Sequence, residues 1–245
     1  MNNILKQKKI IAGMFAVLTL FLASSPAQAL EGVVRIRLSY GLANYSSPST
    51  GADISATYAT LGLGATYIFP SNVFMDFTTK VAGSGSTYNA PAASGGLVNT
   101  DQAYSRTENT LTVGMPLDNG FQGNAGIFTA ETIFKLNQFG QFSQKMQGLT
   151  TGIGKGLPIN EGKSGALGLN AAFALLKATS GDRFGGEATS NIAFGLSIGA
   201  TYSYMLRPNL GVSADTKFQS YFIKYSTFSG DERIISAALS LIGQF

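Results

Sequence analysis

Apolar and small polar residues alternate with a period of two along most of the chain beyond residue 30. In residues 192–204 the even positions are apolar or aromatic, whereas the odd positions are Ala, Gly, Ser or Thr. Because successive side chains of a strand point to opposite faces, this pattern predicts long strands with one apolar and one small polar face. The alternation recurs in residues 34–42, 61–69, 73–81, 111–115, 149–157, 167–175, 210–218 and 235–245. In residues 121–134 both parities carry apolar residues, and the pattern assigns no face.

The predicted strands are joined by two alternating kinds of connection. Short connections contain a proline with Asn, Asp or Gly, at residues 70–72, 116–120, 158–162 and 207–209. Longer polar connections occupy residues 45–56, 83–104, 135–148, 178–190 and 222–232. Proline and the other turn formers end a strand for backbone reasons. Short turns at one end and long loops at the other predict an all-β fold, an up-and-down antiparallel β-barrel of about ten strands, with eight or twelve also compatible.

Composition decides which face of this barrel points outward. Only 12% of the residues are charged, compared with about 25% in typical soluble domains. The polar face consists mainly of Gly, Ser, Thr and Asn, which would coat a soluble protein poorly but suit the wall of a narrow lumen. The sequence therefore predicts a transmembrane barrel with an apolar exterior, in preference to a soluble barrel with an apolar interior. Aromatic residues near the short turns fit an interfacial girdle: Tyr67, Phe69, Phe121, Tyr202 and Tyr204.

Residues 1–29 have the pattern of a secretory signal peptide. Lys6, Lys8 and Lys9 precede an apolar run over residues 10–23, and a small-residue cleavage pattern ends at Ala29. We expect this leader to be cleaved, which leaves residues 30–245 as a single barrel domain. Removing its three lysines brings the chain close to neutrality, and no basic patch with interleaved aromatics remains to indicate a nucleic-acid partner.

With these features, residues 30–245 resemble the bacterial outer-membrane β-barrel proteins. The leader, the hairpin rhythm and a final alternating segment from Ser240 to a terminal aromatic, Phe245, carry the resemblance. It implies a location in the outer membrane of a Gram-negative bacterium, with outer-membrane lipid and lipopolysaccharide as surroundings. It also implies that Phe245 belongs to a signal read by the outer-membrane assembly machinery, with periplasmic chaperones as partners during biogenesis. The residues do not assign a subfamily.

Several chemistries are excluded by the absence of His and Cys. Without these residues the chain cannot form an imidazole base, a thiol nucleophile, a disulfide or a His/Cys metal site. We therefore expect no enzymatic activity, no catalytic residues, no metal and no cofactor. The remaining carboxylate candidates for catalysis, Asp76 and Asp215, fall on predicted strands far apart around the barrel, and we expect lumenal cations to neutralise them.

Charged residues on the inward parity are the most informative candidates for function. They are Arg35, Arg37, Asp76, Lys80, Arg106, Glu108, Asp215 and Lys217. The strands over residues 149–204 carry small inward residues that leave room for them. Since buried charges need partners, we expect salt bridges to close the lumen. Lys80 and Glu108 lie at similar heights above their shared turn and are the first pair to test.

Three functions are compatible with this pattern. The first is a non-enzymatic surface or structural protein of the outer membrane with a largely occluded, charged lumen. The second is a narrow porin-like channel for small polar solutes, because charges can also line a pore. The third is a loop-mediated adhesin or ligand-binding barrel whose surface ligand the sequence does not identify. Predicted loop residues that favour the third include Tyr45, Tyr104, Phe142, Tyr225 and Glu232.

Overall fold

The computed structural model describes residues 32–49, 52–83, 87–90, 99–135, 141–159, 165–181, 187–190, 192–225 and 229–245. The predicted leader over residues 1–29 lies outside the described residues, so its cleavage stays a prediction. No helix in the described ranges is long and apolar enough to cross a membrane.

Strands make up nearly all of the described chain. They are β1 (Val33–Ser49), β2 (Ala52–Ile68), β3 (Phe74–Ala82), β4 (Thr87–Ala90), β5 (Asn99–Pro116), β6 (Phe121–Lys135), β7 (Gln141–Pro158), β8 (Gly165–Gly181), β9 (Glu187–Thr189), β10 (Ile192–Arg207), β11 (Leu210–Lys224) and β12 (Ser229–Gln244). Ten of these form the wall, each antiparallel to its neighbours, in the order β1, β2, β3, β5, β6, β7, β8, β10, β11, β12. The short strands β4 and β9 extend the loop end, where β4 pairs with β2 and β5, and β9 pairs with β8. The predicted barrel of about ten strands is confirmed.

Pairing between the first and last strands closes the barrel. β1 and β12 are in register from Arg35 opposite Gln244 to Ser49 opposite Gly230. Phe245 continues this ladder, because its N–H donates to the Val34 carbonyl at 2.9 Å and its carbonyl accepts from the Val34 N–H at 3.0 Å. A closed ladder leaves no unpaired strand edge, which is what a lipid environment requires.

The outward face is a continuous apolar surface. Its exposed large side chains include Leu38, Leu42, Leu61, Leu111, Val113, Ile127, Leu149, Ile153, Leu175, Leu196, Ile198, Ile235, Leu239 and Leu241. In the half nearest the short turns, the inward face carries mostly small and polar residues, as the alternation predicts. Soluble proteins rarely expose a continuous apolar surface of this extent, whereas a lipid-facing wall requires one. The wall is therefore that of a transmembrane β-barrel.

Strand β6 resolves the segment to which the sequence pattern assigned no face. Its even residues point inward, and Phe128 and Thr132 are buried there, whereas Ile127 is exposed on the outside. Both parities carry apolar residues because part of the lumen is itself packed with aromatic side chains.

The short turns have the backbone geometry that their residues favour. Asn72 and Asn119 have φ values of 62° and 60°, and Gly120 has a φ of 76°. These are left-handed conformations that Asn and Gly adopt at low cost. Between β10 and β11 only Pro208 and Asn209 form the turn.

The loop ends differ from the sequence prediction, because the strands continue into segments predicted as loops. The sequence predicts a long loop over residues 45–56, yet β1 extends to Ser49 and β2 begins at Ala52. The predicted loops at 83–104, 135–148, 178–190 and 222–232 are shortened in the same way. Beyond the apolar surface the outward residues become polar, so the alternation fades although the backbone ladder persists.

The outward face generates a stability prediction. Leu239→Arg places a charge in the middle of the apolar surface, where Leu239 is 70% exposed. We expect it to reduce the free energy of unfolding from lipid vesicles by about 2–4 kcal/mol, measured by denaturant titration. Gln147→Arg is the matched control, because Gln147 lies outward beside Thr129 and Lys177, and should cost at most about 1 kcal/mol. Equal effects of the two substitutions would contradict the assignment of the lipid-facing surface.

Candidate functional site

Aromatic and aliphatic side chains fill the half of the lumen nearest the loops. These side chains, termed the plug, are Tyr45, Tyr58, Tyr104, Phe128, Phe134, Met146, Tyr221, Ile223 and Ile234, all buried. Rings from distant strands are in contact across the lumen, with centroid separations of 5.7 Å for Tyr45 on β1 and Phe134 on β6 and 5.7 Å for Phe128 on β6 and Tyr221 on β11. The plug therefore packs across the lumen at this level.

Register and residue size explain how the plug fits inside ten strands. Tyr221 on β11 lies beside Gly195 on β10, and a Cβ atom added to Gly195 would be 2.7 Å from the Tyr221 ring. Glycine at this position therefore lets the ring lie against the wall. On the other side, Tyr221 stacks on Phe128 with a centroid distance of 5.7 Å and an interplanar angle of 19°.

A buried ionic cluster lies within the plug. The Arg106 guanidinium contacts the Glu108 carboxylate at 2.8 Å and the Glu232 carboxylate at 3.2 Å. It also donates to the Thr132 hydroxyl at 2.5 Å, and its Cζ lies 6.0 Å from the centroids of both Tyr45 and Tyr221. The Tyr45 hydroxyl donates to Glu232 at 3.2 Å. Charges so deeply buried persist only with such partners, so the cluster fixes how the plug packs.

A polar cavity occupies the half of the lumen nearest the short turns. Its volume is about 480 Å³, and Phe128 and Tyr221 form its roof against the plug. Arg35 and Gln122 point inward near the short turns but are exposed, whereas inward residues at the loop end are buried. The cavity is therefore accessible from the short-turn end, and the plug packs against its other end.

The two aspartates of the cavity are held separately. Asp76 contacts the Arg37 guanidinium at 2.8 Å and accepts from the Thr66 and Thr78 hydroxyls at 2.5 and 3.0 Å. Gly64 leaves room for this guanidinium, because a Cβ atom there would lie 3.0 Å from its Nε.

Asp215 has no cation within salt-bridge distance in the described part of the chain, although the sequence predicted one. Three hydroxyls donate to it instead, from Thr201 at 2.7 Å and from Ser213 and Ser240 at 3.2 Å each. Hydroxyl donors satisfy a carboxylate as cations do, and the small-residue pattern of these strands supplies them.

The structure distributes the eight predicted lumen charges over three levels. Arg37, Asp76, Lys80, Glu108, Asp215 and Lys217 line the cavity. Arg106 lies in the plug, and Arg35 lies at the short-turn end, where it donates to Gln244 at 2.9 Å. Phe245 also lies at this end, exposed, and its role in assembly stays a prediction.

The expected pairing of Lys80 with Glu108 differs from the pairing in the structure. The two residues lie opposite each other in the register of β3 and β5. Nevertheless, the salt bridge of Glu108 is with Arg106, two residues away on its own strand and on the same face. The longer guanidinium reaches both Glu108 and Glu232, which a lysine on β3 does not.

Sequence reasoning missed the plug. Tyr45, Tyr104, Tyr225 and Glu232 were expected in exposed loops, but all four are buried. Extending the odd–even alternation beyond the apolar surface assigns these residues to the lumen. Tyr45 has the same parity as the inward Arg35, and Glu232 has the parity opposite to the outward Leu239. The prediction that they lie on surface loops is wrong because β1, β5 and β12 continue through Tyr45, Tyr104 and Glu232. Tyr225 directly follows the last residue of β11.

No group of three or more Asp or Glu side chains in the described ranges is arranged to hold a metal ion. Across the described wall, β2, β1 and β12 separate Asp76 on β3 from Asp215 on β11. The site therefore offers a polar cavity with separated charges, and its two aspartates do not form a pair within hydrogen-bond reach.

The fold is similar to that of known outer-membrane proteins. The chain aligns with the outer-membrane protease OmpT of Escherichia coli at a TM-score of 0.64 and 8% identity, over 89% of this chain and 98% of that one. It aligns less well with the β domain of the Bordetella autotransporter BrkA, at a TM-score of 0.42 and 13% identity, over 87% and 99% of the two chains. For OprG of Pseudomonas aeruginosa the TM-score is 0.39 and the identity 13%, over 87% and 96%.

No protein-family model matches the chain, and no curated protein matches it by sequence. At 8% identity, the likeness to OmpT shows the fold and carries no activity. The location follows from the apolar exterior of the closed barrel, because bacteria hold barrels of this type in the outer membrane.

The buried ionic cluster generates a second stability prediction. Arg106→Met leaves Glu108 and Glu232 without their cation, so we expect a loss of about 3–5 kcal/mol in the free energy of unfolding from lipid vesicles. Lys145→Met is the matched control, because its 3.5 Å pair with Glu131 is exposed and should contribute at most about 1 kcal/mol. A loss below about 1 kcal/mol for Arg106→Met would show that the cluster does not hold the plug together.

Proposed function

We propose that this chain, with the fold of an outer-membrane β-barrel, is a non-enzymatic integral membrane protein whose lumen is closed. The observation that carries the proposal is the plug, which fills the lumen from wall to wall around Arg106. A small barrel is filled by its own side chains, whereas much wider barrels hold water. This barrel of ten strands lies between these cases: side chains fill the half of its lumen near the loops, and the other half is an open cavity.

Conduction would require an ion or solute to pass the plug. Rings from opposite sides of the wall are at contact distance, and Arg106 between them is held by two carboxylates and a threonine hydroxyl. Moving it aside would separate buried charges, which costs several kcal/mol. We therefore expect the closed state to be the resting state.

Catalysis is disfavoured by the same geometry. Carboxylate chemistry needs two acids, or an acid and a nucleophile, within hydrogen-bond reach. Asp76 and Asp215 lie on strands separated by three others in the described wall, and each is satisfied by its own neighbours. The absence of His and Cys removes an imidazole base and a thiol nucleophile as well.

A narrow channel for small polar solutes is the second candidate, and the open cavity favours it. This function would require the plug to move, because the cavity ends at Phe128 and Tyr221. The third candidate, loop-mediated binding, depends in part on residues 136–140, 182–186 and 226–228, which lie outside the described residues.

Planar-bilayer recording tests the proposal. Protein purified from membranes should insert without steady, discrete conductance steps. The triple variant Tyr45→Ala, Phe134→Ala, Tyr221→Ala should produce such steps, because it removes three rings of the plug. As a control, Thr150→Ala with Ser197→Ala changes only the cavity and should stay closed. Steady openings of the unaltered protein would refute the closed lumen and favour the channel.

A further inference from the structure

Two lysines of the cavity lack an ion pair in the described part of the chain. Lys80 on β3 and Lys217 on β11 both line the cavity wall. Neither ammonium group lies within salt-bridge distance of a described carboxylate. The plug does not include them, and both are half-buried in the wall of the cavity.

The neighbouring carboxylates are already engaged. Glu108, opposite Lys80 in the register, is bridged to Arg106, and Asp76 is bridged to Arg37. Asp215 accepts three hydroxyl hydrogen bonds. Both ammonium groups thus lack a direct ion pair, and the low-dielectric walls of the cleft strengthen the attraction between such a group and an incoming anion.

We propose that this cavity binds a small hydroxylated anion, in which a carboxylate or phosphate group contacts Lys80 and Lys217. The rest of the wall suits hydroxyl groups of the ligand. Asn124, Asn170, Thr110, Thr150 and Ser197 all line the cavity and offer neutral donors and acceptors. A sugar phosphate or a hydroxy acid has this combination of one anionic group and several hydroxyls.

Cavity size and access agree with such a ligand. A volume of about 480 Å³ falls within the range of about 300–1,000 Å³ typical of small-molecule sites. The opening lies at the short-turn end, which faces the periplasm in barrels of this type. The ligand would therefore bind from the periplasmic side and stop at the roof of Phe128 and Tyr221. This binding does not depend on whether the plug ever opens.

Calorimetric titration of the membrane-purified protein in nanodiscs tests the proposal. The probes are glucose 6-phosphate, inorganic phosphate and glucose. We expect glucose 6-phosphate to bind more tightly than phosphate, and glucose to bind at least tenfold more weakly than its phosphate ester. Lys80→Gln and Lys217→Gln should each weaken glucose 6-phosphate binding at least tenfold, whereas Lys80→Arg and Lys217→Arg should largely retain it.

Lys224→Gln is the matched control, because Lys224 lies on the same strand as Lys217 but at the exposed loop end. It should leave the affinity unchanged. Heat-modifiable gel migration of each variant checks that the barrel has folded. The proposal is overturned if no probe binds, if glucose binds as tightly as its phosphate ester, or if the affinity is the same in the folded glutamine variants. None of these outcomes bears on conductance, so a failure here leaves the closed lumen standing.

Discussion

The structure depends on the closed antiparallel ladder, because a strand in lipid must pair every backbone N–H and C=O group with another strand. Pairing of β1 with β12, continued to Phe245, removes the last free edge. Once the ladder is closed, the pleat assigns each residue to lipid or lumen by its parity. The apolar exterior, the cavity and the plug are all consequences of which residues occupy which parity.

A barrel of ten strands is too wide for small side chains to fill and too narrow for a large aqueous pore. In this chain, the two halves of the lumen along the barrel axis are filled differently. Near the loops, large rings and the Arg106 cluster fill the lumen. Near the short turns, Gly, Ser, Thr and Asn residues leave a solvent-accessible cavity with Lys80 and Lys217 in its wall. The cavity that contains the two lysines ends where the large rings of Phe128 and Tyr221 begin.

Much of this fold could be predicted from the sequence, because lipid and lumen select different residues on the two faces of each strand. Alternation over residues such as 34–42 and 235–245 encodes the two environments directly, and Asn72 and Pro208 mark the turns through backbone preference. The plug is harder to predict, because apolar and polar residues occur on both faces beyond the apolar surface and only residue parity still assigns the side chains to the lumen. Tyr45 and Glu232 then look like loop residues. Long-range pairing was also hidden: Arg106 joins Glu232, 126 positions away, while the sequence pointed to Lys80 as the partner of Glu108.

The lumen is divided into a filled half and an open half, and thiol accessibility tests this division most directly. The chain has no cysteine, so a single introduced thiol reports on one site. In nanodiscs, a small charged thiol reagent should modify Ser197→Cys in the cavity quickly. It should leave Ala178→Cys unmodified, because Ala178 is 0% exposed beside the plug. Equal rates of modification at the two sites in folded protein would contradict the division.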